Sequence, residues 1–152
     1  MTPSAVIGID VGGTRIKSVI TPTGTVLDEL VSPTPANIGG SIGTVVEGLL
    51  RDHLARWADR EPGLGAARAV ATVEVVVPGV VDDVPGIGRY SSNLGWRDLD
   101  LRSLIGREVD LPLRRPRRAP RAAGRAPVRA AALGDRAGSL GAGVLALEVN
   151  SP

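Results

Sequence analysis

At 152 residues, with 43% hydrophobic and only 2% aromatic side chains, the chain has room for one domain, or a domain and a tail, with a core of Val, Leu, Ile and Ala. It has no cysteine, no apolar run of membrane-spanning length and no basic-then-apolar start, which excludes a disulfide framework and a thiolate metal site and makes the cytoplasm the expected location. The net charge of +2 is uneven: residues 1–113 carry a net −4 and residues 114–152 a net +6, so the high pI belongs to the tail and argues against a nucleic-acid-binding domain.

The run Ala5 to Ile9 reads as a buried strand that ends in a carboxylate, Asp10. Gly12 and Gly13 permit a tight turn, Thr14 adds a hydroxyl, and Arg15 to Thr21 restarts as a second strand. The tip of such a hairpin can hold phosphate on its backbone amides while the acid serves Mg2+ or a water. Pro22 to Gly24 turns the chain into a third strand, Thr25 to Ser32, so the start is a three-stranded antiparallel meander. Pro33 and Pro35 mark a loop.

From Asn37 onward Ile38, Ile42, Val45, Val46, Leu49, Leu50, Leu54 and Trp57 recur at steps of three and four, an amphipathic helix ending near Asp59. His53 is read as a solvated surface residue off that stripe. Ala69 to Val77 is the best buried-strand candidate, interrupted without explanation by Glu74, and Pro78-Gly79 follows as a turn. Val80 to Asp82 and Gly86 to Gly88 read as loop and short strand, and Ser91 to Trp96 as a polar turn between apolar residues. Asp98 is expected to cap a short helix with Leu99, Leu101, Leu104 and Ile105 on its apolar face, Gly106 to end it, and Val109 to Leu113 to form a last strand.

Three stretches together resemble the first half of the ROK family of sugar kinases and related repressors: Ile9 to Lys17, Val77 to Asp82 and Ser92 to Trp96. The resemblance covers residues 5 to 113. It implies the α/β, ribonuclease-H-like (actin-like ATPase) fold, in which two domains close on a hexose and ATP with Mg2+. By position, Asp10, Gly12, Gly13, Thr14 and Lys17 resemble the phosphate and nucleotide motif, and Pro78, Gly79 and Asn93 the sugar pocket. The Asn93 amide can both donate to and accept from a sugar hydroxyl. Intact members imply a homodimer. Family repressors carry a helix-turn-helix ahead of this part, for which a hairpin reached by residue 5 leaves no room.

The resemblance stops at Leu113. There the family places an aspartate that acts as general base on the attacking sugar hydroxyl, whereas residues 114–118 are Arg-Arg-Pro-Arg-Arg. No catalytic residue is therefore assigned, and the second phosphate motif and the His/Cys zinc site of many members have no counterpart. Residues 114–125 hold six arginines and two prolines without a hydrophobic period, which predicts an irregular tail over 114–152. A one-base shift of reading frame across Arg115 to Arg118 can restore Gly-His-Asp-Val, so a frameshift would explain the tail, with a natural insertion or truncation as the alternatives. The expectation is an inactive partial kinase domain, or a sugar-binding or regulator relic.

Overall fold

The apolar run at the chain start becomes a central strand, β1 (Ala5–Val11), flanked by an antiparallel neighbour, β2 (Arg15–Thr21), and a parallel one, β4 (Val70–Val76). With β3 (Asp28–Pro33) added antiparallel to β2, the first sheet has the order β3-β2-β1-β4. This computed structural model describes residues 5–21, 26–60, 70–82 and 84–109. The expected meander and buried strand are both present. The third strand begins at Asp28 rather than Thr25, and the turn over 22–24 lies outside the described residues.

Alternation decides what each face of the sheet meets. Ile7, Ile9 and Val11 of β1, Ile16 and Ile20 of β2 and Val73 of β4 are buried in one cluster with Ile38, Ile42, Val46, Leu49, Leu50 and Trp57 of helix α1 (Ile38–Arg60). Each such aliphatic side chain contributes about 1.5–3 kcal/mol by leaving water. The alternation also places Glu74, which is itself buried. It shares a row with Gly8 and Val19 on the face away from α1, while Val73 and Val75 beside it join the α1 core.

A second, wholly antiparallel sheet follows, β5 (Val80–Asp82), β6 (Ile87–Ser91) and β7 (Trp96–Asp100), in that order. The sequence reads this stretch as loop and short strand, a polar turn and the start of a helix, and the short strands and the turn are present. Two corrections follow from it. Leu99 belongs to β7, where it pairs with Gly88, and Asp98 is a strand residue with a left-handed φ of 49°. The cap of the short helix α2 (Leu101–Gly106) is instead Asp100, whose carboxylate accepts from the Ser103 amide at 3.0 Å and the Ser103 hydroxyl at 2.7 Å. A cap of this kind contributes about 1 kcal/mol.

The two sheets are joined through α1. A β-carbon at Gly43 would lie 2.2 Å from the Leu104 carbonyl oxygen, and one at Gly39 would touch Trp96 and Leu99, so α1 and α2 approach along a glycine edge. Val109 is buried outside any strand, and the rest of the expected last strand, with the tail 114–152, lies outside the described residues. Among those, no helix is long and apolar enough to cross a membrane.

Candidate phosphate and sugar site

β1 delivers Asp10 one residue before the hairpin, opposite Lys17 on β2 and beside Val76 on β4. The carboxyl is half-buried. Desolvation raises its pKa above the ordinary value, and the Lys17 charge offsets this in part. The turn itself closes through the Gly12 amide, which donates to the Arg15 carbonyl at 2.9 Å.

Neither Gly12 nor Gly13 has a positive φ, so their conformational freedom is not what the turn uses. Space is. A β-carbon at Gly12 would lie 2.7 Å from the Arg15 carbonyl oxygen, and one at Gly13 would lie 3.1 Å from the Asn93 β-carbon. The tip of the hairpin therefore rests directly on the Ser91–Trp96 turn. Gly13, Thr14 and Asn93 are all exposed there.

That turn is anchored by its ends. Ser91, Leu94 and Trp96 are buried, the Leu94 amide donates to Ser91 Oγ at 3.3 Å, and the Gly95 amide donates to the Ser91 carbonyl at 2.9 Å. Gly79 packs against the end of β6 that leads into this turn. Gly79 has φ +123°, and a β-carbon there would lie 2.2 Å from the Tyr90 carbonyl oxygen and 3.1 Å from Ser91. Here glycine is required both by conformation and by contact. Gly13, Gly79 and Asn93, far apart in the chain, thus converge on one turn.

Sequence reading missed Thr34. Its hydroxyl donates to the Gly12 carbonyl at 2.7 Å and its amide to the Thr14 carbonyl at 3.0 Å, which holds the hairpin tip from the β3 side. A Thr between Pro33 and Pro35 was the available signal, since Pro35 biases the residue before it toward extended backbone.

His53 requires a correction. It is fully buried, with Nε2 2.9 Å from Ser18 Oγ and Nδ1 3.6 Å from Asp28 Oδ2. The periodicity 46, 50, 53, 57 puts it on the apolar stripe of α1, not off it. Ser18, His53 and Asp28 have the atom types of a nucleophilic triad, but Ser18 is 0% exposed and no substrate can reach its hydroxyl. The set is a polar tie between helix and sheet.

The family model that matches the chain is that of the ROK family, over residues 6–123, which runs past Leu113. A glucokinase from Halalkalibacterium halodurans is 31% identical over 70% of this chain and 31% of its own length. The ROK hexokinase from Thermus thermophilus shares 29% identity over 72% of this chain and 33% of its own, with a TM-score of 0.51. The inorganic polyphosphate/ATP-glucomannokinase from Arthrobacter sp. strain KM shares 26% over 73% and 43%, with a TM-score of 0.56. The chain spans about a third of the length of the glucokinase and the hexokinase it matches. Its two sheets and α1 have the α/β, actin-like ATPase fold of these kinases, and by the extent of the family match the chain belongs to the ROK family.

Proposed function

We propose that residues 1–113 are the phosphate- and sugar-binding lobe of an ATP-dependent hexose kinase of the glucokinase type. The observation that carries this reading is the contact of Gly13 with Asn93. Phosphoryl transfer needs the phosphate and the attacking hydroxyl side by side, and catalysis is mostly that placement. A hairpin tip suited to phosphate, resting on a turn whose asparagine suits a hydroxyl, supplies such an adjacency. The similarity to a glucokinase and to a glucomannokinase that uses ATP supports a hexose and ATP as the ligands.

In this reading the tip at Gly12, Gly13 and Thr14, exposed at Gly13 and Thr14, receives the phosphates, and Pro78, Gly79 and Asn93 the sugar. The Lys17 charge across the strand pair favours the ionised form of Asp10 and partly offsets the desolvation that raises its pKa. Among the described residues no three metal-ligating side chains cluster. Mg2+ asks little more than one or two carboxylates when phosphate oxygens and waters complete its shell, so Asp10 alone fits it. Bound there, Mg2+ would neutralise charge developing on the phosphates.

The chain is proposed to bind without turning over. Residues 114–118 contain no carboxylate where the resemblance implies the general base, and loss of a positioned base costs about 10²–10⁴ in rate. A coupled ADP-release assay with glucose, mannose and N-acetylated hexosamines tests this together with calorimetric titration of glucose and MgATP. Binding without turnover is the expected result. Turnover that Asp10→Ala abolishes would return the chain to the active kinases, and absence of all binding would refute the lobe assignment.

A further inference from the structure

The Thr34 hydroxyl has a partner with a geometric consequence. A trans peptide unit is planar, with its C=O and N–H pointing in opposite directions. The Gly12 carbonyl and the Gly13 amide share one such unit. When Thr34 Oγ1 draws the Gly12 carbonyl toward β3 at 2.7 Å, the Gly13 N–H is turned away from β3. The Thr34 amide, on the Thr14 carbonyl at 3.0 Å, fixes the other end of the two-residue tip. The Gly12 amide is already committed to Arg15. Gly13 and Thr14 amides take part in none of these turn-closing bonds.

We propose that Thr34 is a positioning residue for the phosphate tip, its hydroxyl aiming the Gly13 amide at a phosphate oxygen of a nucleoside triphosphate. This rests on the reading of the tip as a phosphate site. Thr34 touches no reacting atom in it. It acts through Gly12, and Asn93 against Gly13 holds the far side. The backbone bond from Thr34 to Thr14 survives any side-chain change, so the hydroxyl can be tested by itself.

The experiment uses the full 15N-labelled chain and the variants Thr34→Val, which keeps the shape without the donor, and Thr34→Ser, which restores the donor. Thr34→Val is expected to shift the Gly13 amide resonance, speed its hydrogen exchange and weaken MgATP binding about 5- to 20-fold, the loss of one oriented hydrogen bond. Thr34→Ser should stay within about twofold of wild type, as a retained donor requires. A Thr34→Val chain whose Gly13 amide and MgATP affinity match wild type overturns the proposal, as does one that only melts earlier. A wild-type chain that binds no MgATP overturns the phosphate reading itself, and the Gly13 resonance then reports whether Thr34 still sets the tip.

Discussion

His53 Nε2 and Ser18 Oγ lie 2.9 Å apart, both fully buried, and tie α1 to β2. Asp28 Oδ2 lies 3.6 Å from Nδ1, beyond hydrogen-bond distance, and a carboxylate there favours the ring proton on Nδ1, which leaves Nε2 to accept from the Ser18 hydroxyl. Neutral imidazole fits this arrangement.

Burial lowers the His53 pKa below its ordinary value of about 6.5; Asp28 and Asp52 oppose the shift and Arg56 adds to it. The unfolded chain therefore binds the proton first. Stability from this group is complete above about pH 6.5 and is lost as the pH falls from there toward the lowered folded value. Urea midpoints should drop from pH 7 to pH 5.5. His53→Ala should cost about 2–4 kcal/mol at pH 7 and remove that part of the slope; a slope unchanged in the variant would show that other groups titrate.

Much of the fold was legible because β1, β2 and α1 have strong, regular apolar patterns, and the short Gly12-Gly13 break between two apolar runs implied the antiparallel pairing of β1 with β2. The second sheet was not. Its strands hold only three to five residues, and β6 contains Gly88, Arg89 and Tyr90, so period-two alternation is broken by a register shift beside Val80. His53 was missed for a different reason, since a polar residue on an apolar stripe is satisfied only by partners on other strands. Asp10, Gly13 and Asn93 could be named from motifs. Their contact, and the bonds from Thr34, depend on tertiary approach that no local pattern encodes.

Glycines in α1 should divide sharply. Gly43→Ala puts a β-carbon 2.2 Å from the Leu104 carbonyl oxygen, which is backbone and cannot swing aside. A loss of about 2–3 kcal/mol is expected as α2 is pushed off. Gly48→Ala meets nothing within 4 Å and should gain about 0.5–1 kcal/mol from helix propensity alone. Urea unfolding of both variants checks the contrast, and equal effects would contradict the glycine-edge packing of α1 on α2.

Gly79→Ala is strained twice, by φ +123° and by a β-carbon 2.2 Å from the Tyr90 carbonyl oxygen. Strain of this kind costs about 1–3 kcal/mol. Because β6 leads straight into the Asn93 turn, the relief should be movement of that turn. Glucose titration is expected to show weaker binding in Gly79→Ala, while Gly95→Ala, also at positive φ (69°) but with nothing within 4 Å, loses stability with less effect on the contact to Gly13. Chemical shifts of Gly13 in the two variants distinguish them.

Asp10 carries the sharpest separation of stability from binding. Its folded pKa is raised, so the ionised form is the one the fold disfavours, and the cost is present above the folded value and vanishes as the pH falls toward the ordinary carboxylate range. This is opposite in sign to His53 and is anchored at the ordinary carboxylate value rather than at the imidazole value. Asp10→Asn removes the charge opposite Lys17 at nearly constant shape. The variant should therefore unfold at a slightly higher urea concentration than wild type at pH 7, by an amount solvent screening keeps under about 1 kcal/mol. The difference should fade near pH 4. MgATP binding should be lost in the same variant, since a neutral amide cannot hold a phosphate-bridged Mg2+ as a carboxylate does. Group retention at a cost in stability is the mark of a functional residue. Asp10→Asn that is less stable than wild type at pH 7, with MgATP affinity intact, would make Asp10 a structural partner of Lys17 and nothing more.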